Sequence, residues 1–361
     1  MNGDLISLIN FIKSHSSVYC IGTSNYVGEI LSFCIDNGVK IDAFVQPGDA
    51  PEGATYFGVP VYGTNHVPVV PNCGWIVAMG NAGAAEMFMM LQRSGIYDSF
   101  LVTESMIGEM MRLALSPNEK LKGAADSERC FLLLNGPSTN KQDLLKLKNE
   151  TVFACNSGFN MSRYHDISPK YHVSPSVVNE MHGDKFNYEY GALLNEKITS
   201  KIIFRDYYDR LHLQHAGDFK DKQIFYLLQN LNWDNNRVIP DLTGSTPIIW
   251  NVSVMMLKIA LYMGFRKIYL LGVELDSFNK IYEHSYDVED YPEHLQHWFL
   301  KEKYESSGVS MYKKLQSTAY VFSEFQYIYD IARANGIEIY NATIGGIVDV
   351  FPRVEYESLF N

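Results

Sequence analysis

Cysteine is scarce and unpaired in this chain. Cys20, Cys34, Cys73, Cys130 and Cys155 are scattered over 361 residues, odd in number and without a C-x-x-C spacing. That excludes a disulfide framework and a thiolate zinc site, and it fits buried thiols in a reducing compartment. Basic residues are also short: 30 Lys and Arg stand against 41 Asp and Glu, a formal net charge of −11. A protein that follows a phosphate backbone carries a basic excess, so a general nucleic-acid binder is excluded. Long apolar runs are absent as well. The most apolar stretch, 247–265, is broken by Asn251, Ser253 and Lys258, so no membrane span is expected. The opening Met-Asn-Gly-Asp lacks a positive region, which argues against a signal peptide and for a cytoplasmic protein.

What is present is a large core. Hydrophobic residues make up 47% of the chain and charged residues 20%, which excludes disorder throughout. The length predicts about two domains at roughly 100–200 residues each. Strand-like and helix-like patterns alternate over the first hundred residues, as in a parallel sheet flanked by helices. Residues 105–129 read as a helical connector between a first domain, 1–104, and a second, 130–361. A second βα series starts at Cys130, continues through strands ending at Cys155 and Ser174, and resumes after 247. Between them, 179–236 is polar and irregular, and reads as a partly helical, lid-like insertion.

The segment from Gly22 to Gly28 has the pattern strand, turn, helix, whose exposed N–H groups suit an anion. It lacks G-x-G-x-x-G, and Gln46 stands where a ribose-binding acid is expected, so a nicotinamide dinucleotide site is disfavoured. The segment resembles the small Rossmann-like domain preceding bacterial sugar acyltransferases. A folded module without a ligand of its own is the competing reading.

The sharper signal is Asn135-Gly136-Pro137-Ser138 at the end of an apolar strand. Pro137 suits a first helical position, and Ser138 would offer a hydroxyl and an N–H at the positive helix end. The Gly-Lys-[Ser/Thr] of a Walker loop is missing. Asn156 ends the next strand, Ser176 follows another, Asn251 and Ser253 stand at a helix start, and Gly272 and Glu274 end a further strand. In a parallel sheet such residues converge at the carboxyl ends of the strands, and amides and hydroxyls suit a nucleotide's base and ribose.

The order Asn135-Gly136-Pro137-Ser138, Cys155-Asn156, Pro175-Ser176, then Ala260…Gly264-Phe265-Arg266-Lys267-Ile268-Tyr269-Leu270-Leu271-Gly272-Val273-Glu274 resembles glycosyltransferase family 42, bacterial sialyltransferases that use CMP-sialic acid. The same block, with the ending Asn341…Gly345-Gly346…Asp349…Pro352, is similar to the motility-associated-factor proteins, flagellin glycosyltransferases handling nonulosonic acids. The resemblance covers about 130–352 and implies a sialyltransferase-like α/β fold, a GT-A-type variant. It implies that Asn135, Gly136, Ser138 and Asn156 contact the nucleotide. Ser176, Asn251 and Ser253 match donor-holding positions. Tyr282 falls on the tyrosine that donates to the leaving phosphate, with Tyr286 nearby to assist.

The family's base histidine is not found by ungapped counting, which lands on Ala319. His284, between Tyr282 and Tyr286, is the first candidate, followed by His294 and His297, one helical turn apart. A histidine has the near-neutral pKa that proton removal from an acceptor hydroxyl needs. Tyr hydroxyls can stabilise the developing phosphate charge without metal. His294 and His297 could instead hold a metal, though no third ligand is evident. The other histidines, His172 among them, are read as structural.

The expectation is therefore inverting, metal-independent transfer of a CMP-activated nonulosonic acid to a glycan hydroxyl, with no cofactor. The partners are a nucleotide-sugar donor and a glycan acceptor, with peripheral membrane association and homo-oligomerisation left open. Two alternatives stand beside it. One is a Mg²⁺-dependent pterin diphosphokinase-like enzyme, a class similar to the motility-associated domain. The other is a non-catalytic nucleotide-sugar-binding protein.

Overall fold

Strands buried on both faces read as near-continuous apolar runs, and they organise both halves of this chain. The computed structural model describes residues 3–22, 24–68, 70–175, 183–230, 238–247, 250–276, 278 and 284–360. These form two compact α/β units, Met1–Ser116 with Arg210–Ala216, and Pro117–Asp209 with Gly217–Asn361.

The first unit contains α1 (Gly3–Ser14), β1 (Ser17–Gly22), α2 (Ser24–Asp36), β2 (Ala43–Gln46), β3 (Thr55–Tyr56), β4 (Val59–Gly63), β5 (Cys73–Ala78), α3 (Asn81–Arg93), β6 (Ser99–Leu101) and α4 (Glu104–Leu115). Its sheet runs β3-β4-β2-β1-β5-β6, parallel except where β3 meets β4. Successive side chains of β1 serve two cores. Val18 and Cys20 join Leu5, Ile30 and Met106, while Tyr19 and Ile21 join Ala84, Met87 and Leu91. Helices therefore cover both faces. Of the stretch 105–129, α4 packs Met106 and Met110 into this first core, and the remainder from Pro117 belongs to the second unit.

The second unit contains β7 (Arg129–Leu133), β8 (Val152–Cys155), α5 (Tyr164–Ile167), β9 (Tyr171–Ser174), α6 (Gly183–Lys197) and β10 (Ile202–Asp206). After α7 (Arg210–Ala216), which belongs to the first unit, come β11 (Gln223–Asn230), β12 (Ser245–Pro247), α8 (Val252–Met263), β13 (Lys267–Leu271), α9 (Glu293–Gly308), α10 (Met311–Ala334) and β14 (Glu338–Asn341). The sheet runs β12-β11-β10-β9-β8-β7-β13-β14, and its described pairings are parallel. The winding direction reverses between β7 and β13. α8 is apolar nearly all round, buried from Ser253 to Met263, and packs on Phe153, Phe204 and Phe225 with Phe325 and Ile328 of α10. It is a core helix, and among the described residues no helix is long and apolar enough to cross a membrane.

Two local expectations are corrected. The polar stretch 179–236 holds β10 and β11, inner strands of the sheet, in addition to helices. Ile-Ile-Phe and Ile-Phe-Tyr-Leu-Leu are the buried runs, embedded in polar sequence. The helix expected after Pro137 is two short 3₁₀ segments, Pro137–Lys141 and Leu144–Leu147. There Thr139 donates its hydroxyl to the Gly136 carbonyl, and the Asp143 carboxylate accepts from the Leu145 N–H. Such local bonds compete with helical ones.

α7 returns to cover α2 in the first unit. Arg210 pairs with Asp36 and with Glu29 at 3.8 Å, and Gln214 bonds Asp36 and Ser32, each at 2.6 Å.

Candidate functional site

A crevice outside the carboxyl ends of the strands, at the point where winding reverses, is the expected ligand position in an open parallel sheet. A cleft of about 140 Å³ lies there in the second unit. It is bounded by the ends of β7 and β8, the loop after β13 and the start of α8. It brings together Asn135, Gly136, Asn156, Asn251, Gly272, Glu274 and His284.

Close approach of backbones makes the cleft. The Gly136 N–H donates to the Gly272 carbonyl at 3.1 Å, joining the two strand ends. A Cβ on Gly136 would stand 1.6 Å from Oε2 of Glu274, and one on Gly272 would stand 2.6 Å from the Leu134 carbonyl oxygen. Gly272 also has φ +69°, so both positions require glycine. Asn156 at φ 45° and Leu275 at φ 53° are left-handed residues of the cleft that are not glycine. Such strain, of order 1–2 kcal/mol each, clusters at ligand sites.

The Ser138 N–H, expected to face an anion, donates instead to Oε1 of Glu274 at 2.7 Å. The Ser138 hydroxyl is buried. Glu274 thus holds the turn together, and its second oxygen remains beside the cleft. Ser253 is also directed inward, donating its N–H and its hydroxyl to Oδ1 of Asn251 at 2.9 and 2.7 Å. Asn251 caps α8 through that oxygen and lines the cleft, and its amide N–H groups have no partner among the described residues. The Asn156 side chain likewise makes no hydrogen bond among the described residues. Its carbonyl accepts from Nε2 of buried His172 at 2.8 Å.

His284 is held at the cleft by its neighbour. The Ser285 N–H donates to the Asn135 carbonyl at 2.8 Å, and the Asn140 amide donates to the Ser285 carbonyl at 2.9 Å. The His284 ring stacks on Tyr286, centroids 5.0 Å apart and 7° from parallel, and buried Tyr286 meets Tyr291 edge-on. His294 and His297 are exposed on α9 and do not line the cleft. Ser176 and Tyr282 lie outside the described residues.

Two further cleft residues had no role assigned from sequence. Cys155 faces it with a thiol that burial pushes up to about 12, hence neutral, donating to Oδ1 of Asn135 at 3.9 Å. Asp276 follows Glu274 in the same loop. The Asn341…Gly345-Gly346 ending has a supporting role. Asn341 Oδ1 accepts from the Thr343 N–H, and Thr343 Oγ1 accepts from the Val273 N–H. The Arg353 guanidinium donates to the carbonyls of Thr343, Gly345, Gly346 and Val348. The Ile347 N–H then bonds the Glu274 carbonyl at 2.9 Å.

No family model and no curated protein matches the chain. Among solved structures, the sialyltransferase CST-II in complex with a trisaccharide acceptor and CMP is similar at 14% identity and a TM-score of 0.36, covering 63% of this chain and 85% of that one. The sialyltransferase CstII from Campylobacter jejuni, in complex with the substrate analogue CMP-3FNeuAc, is similar at 13% identity and a TM-score of 0.31, over 63% of this chain and 89% of that one.

Proposed function

We propose that the second unit transfers a nonulosonic acid from its CMP-activated form to a glycan hydroxyl. The observation that carries this reading is the convergence of Asn135, Asn156, Asn251, Glu274 and His284 on one switch-point cleft. The order of motifs shared with family 42 supports the choice of donor. The free amides of Asn156 and Asn251 serve the nucleotide, and the second Glu274 oxygen accepts from ribose hydroxyls. The acceptor oxygen attacks the anomeric carbon and its proton passes to His284. The bond to the donor phosphate breaks with its electron pair going to the phosphate oxygen. Attack opposite the leaving group inverts the anomeric centre, and the reaction uses no cofactor.

The test is CMP-sialic acid with a panel of galactosides in EDTA. CMP release and a sialylated product are expected, and no CMP release with or without acceptor sinks the reading. Turnover of ATP and a pterin alcohol that is lost on chelation would instead favour Mg²⁺-dependent diphosphoryl transfer, for which Glu274 and Asp276 are carboxylates in the cleft. His284→Ala should lower kcat by about 10²–10⁴, the usual contribution of a general base. An unchanged kcat would remove His284 from that role.

A further inference from the structure

Next in the chain to the cleft-lining Asn251 stands an aromatic feature that donor binding does not use. Trp250 immediately precedes Asn251, which caps α8 and lines the cleft. Its ring lies on Tyr320 of α10, centroids 4.7 Å apart and 16° from parallel. Trp250 is nevertheless 45% exposed and Tyr320 41%. Two large rings are thus presented to solvent in fixed orientation.

Their place follows from the winding. α10 leads into β14, which pairs parallel with β13, so α10 runs against the strand direction. Its buried residues begin at Val321. The preceding ten residues, 311–320, are exposed or half-buried; at about 1.5 Å per residue they carry the helix some 15 Å beyond its packed half. That end projects past the carboxyl edge of the sheet, the edge that holds the cleft.

The stack is pinned from beneath by two buried charges. The Trp250 backbone N–H donates to Oε2 of Glu324 on α10 at 3.1 Å, and the Lys258 ammonium on α8 donates to the Pro247 carbonyl at 2.8 Å. Lys258 is 2% exposed and Glu324 1%. Buried charges are costly to retain, and here both hold the segment that delivers Trp250 and Asn251.

We propose that the outer face of Trp250, backed by the Tyr320 ring, forms a platform for a pyranose ring of the acceptor glycan. The proposal rests on the glycosyl-transfer reading above. A flat aromatic face matches the C–H face of a sugar, whose hydroxyls remain in water at its edge. A donor bound in the adjoining cleft would then meet an acceptor lying one residue away along the chain.

The test uses the full chain in two arms. Without donor, lactose is titrated against the ¹⁵N-indole signals, that of Trp250 being identified by its loss in Trp250→Phe. Lactose should shift the Trp250 signal, and an unmoved signal up to the solubility limit overturns the platform. With donor and galactoside, Trp250→Ala and Tyr320→Ala should raise the acceptor KM about tenfold, the equivalent of losing roughly 1.4 kcal/mol. The donor KM should move less than twofold, and Trp250→Phe and Tyr320→Phe should restore the acceptor KM. An unchanged acceptor KM in an enzyme that consumes donor overturns the platform. A lactose-shifted Trp250 in a wild-type chain that releases no CMP would support the platform while refuting the donor. If the alanine variants instead abolish binding to anionic vesicles or dissociate an oligomer while lactose binding persists, the surface serves another partner and the proposal fails.

Discussion

His172 shows how a residue outside the cleft can govern it. A carbonyl only accepts, so the bond to the Asn156 oxygen requires the proton on Nε2, and Nδ1 then accepts from the Tyr164 hydroxyl at 3.2 Å. Burial is the main reason its pKa falls to about 3, with Arg205 and Lys222 adding repulsion against the bond to Asn156. The sign follows from counting protons. Below the unfolded value of about 6.5 the unfolded chain binds a proton that the folded chain refuses, so stability falls as pH drops from there toward 3. At pH 5 the loss should be about 2 kcal/mol. Glu324, raised to about 7 chiefly by burial, acts oppositely, gaining stability as pH falls through that value. Urea unfolding at pH 7.5 and pH 5.0 should therefore be compared between wild type and His172→Gln. The wild type should lose about 2 kcal/mol more on acidification. Equal losses would mean that His172 is not held neutral.

At the scale of elements, the α8–α10 contact combines an apolar core with one opposed pair of charges. Desolvation lowers Lys258 to about 8, and attraction to Glu324 works against that fall. Removing one partner strands the other, so Lys258→Met or Glu324→Met alone should cost about 3 kcal/mol in urea unfolding. The double variant should recover most of the loss, because two well-packed apolar side chains replace both desolvation penalties. A double variant as unstable as the sum of the singles would show that each charge is needed independently for its backbone bond. How far elements were legible in sequence also depended on burial. β7 and β13 were readable as apolar runs, and the turns after them supplied Asn135, Gly136, Gly272 and Glu274 in order. β10 and β11 are no shorter than β7 and β13, but polar residues flank their apolar runs, so the pattern averaged out. Ser138 gives its backbone N–H to Glu274, and Ser253 gives its N–H and hydroxyl to Asn251, bonds that motif order alone does not show. No spacing rule reveals a carboxylate that arrives from 136 residues away.

Across the whole molecule, the chain does not build its two units one after the other. The chain leaves the first unit at Ser116, returns to it only for Arg210–Ala216, and then completes the second. The first unit therefore depends on a helix supplied from the second half of the sequence. Arg210 is 5% exposed and paired with the half-buried Glu29 and the exposed Asp36, so its loss leaves both carboxylates without their cation. The cleft, by contrast, draws every lining residue from the second unit. Two perturbations should therefore act on different parts of the heat-capacity trace. CMP at about one hundred times its dissociation constant should stabilise the second unit by about 2.7 kcal/mol and raise the transition that belongs to it. Arg210→Ala should lower the other transition, with the CMP-induced rise retained. Differential scanning calorimetry of both proteins, with and without CMP, checks the assignment. A CMP effect confined to the transition that Arg210→Ala lowers would relocate the nucleotide to the first unit and refute the cleft as its site.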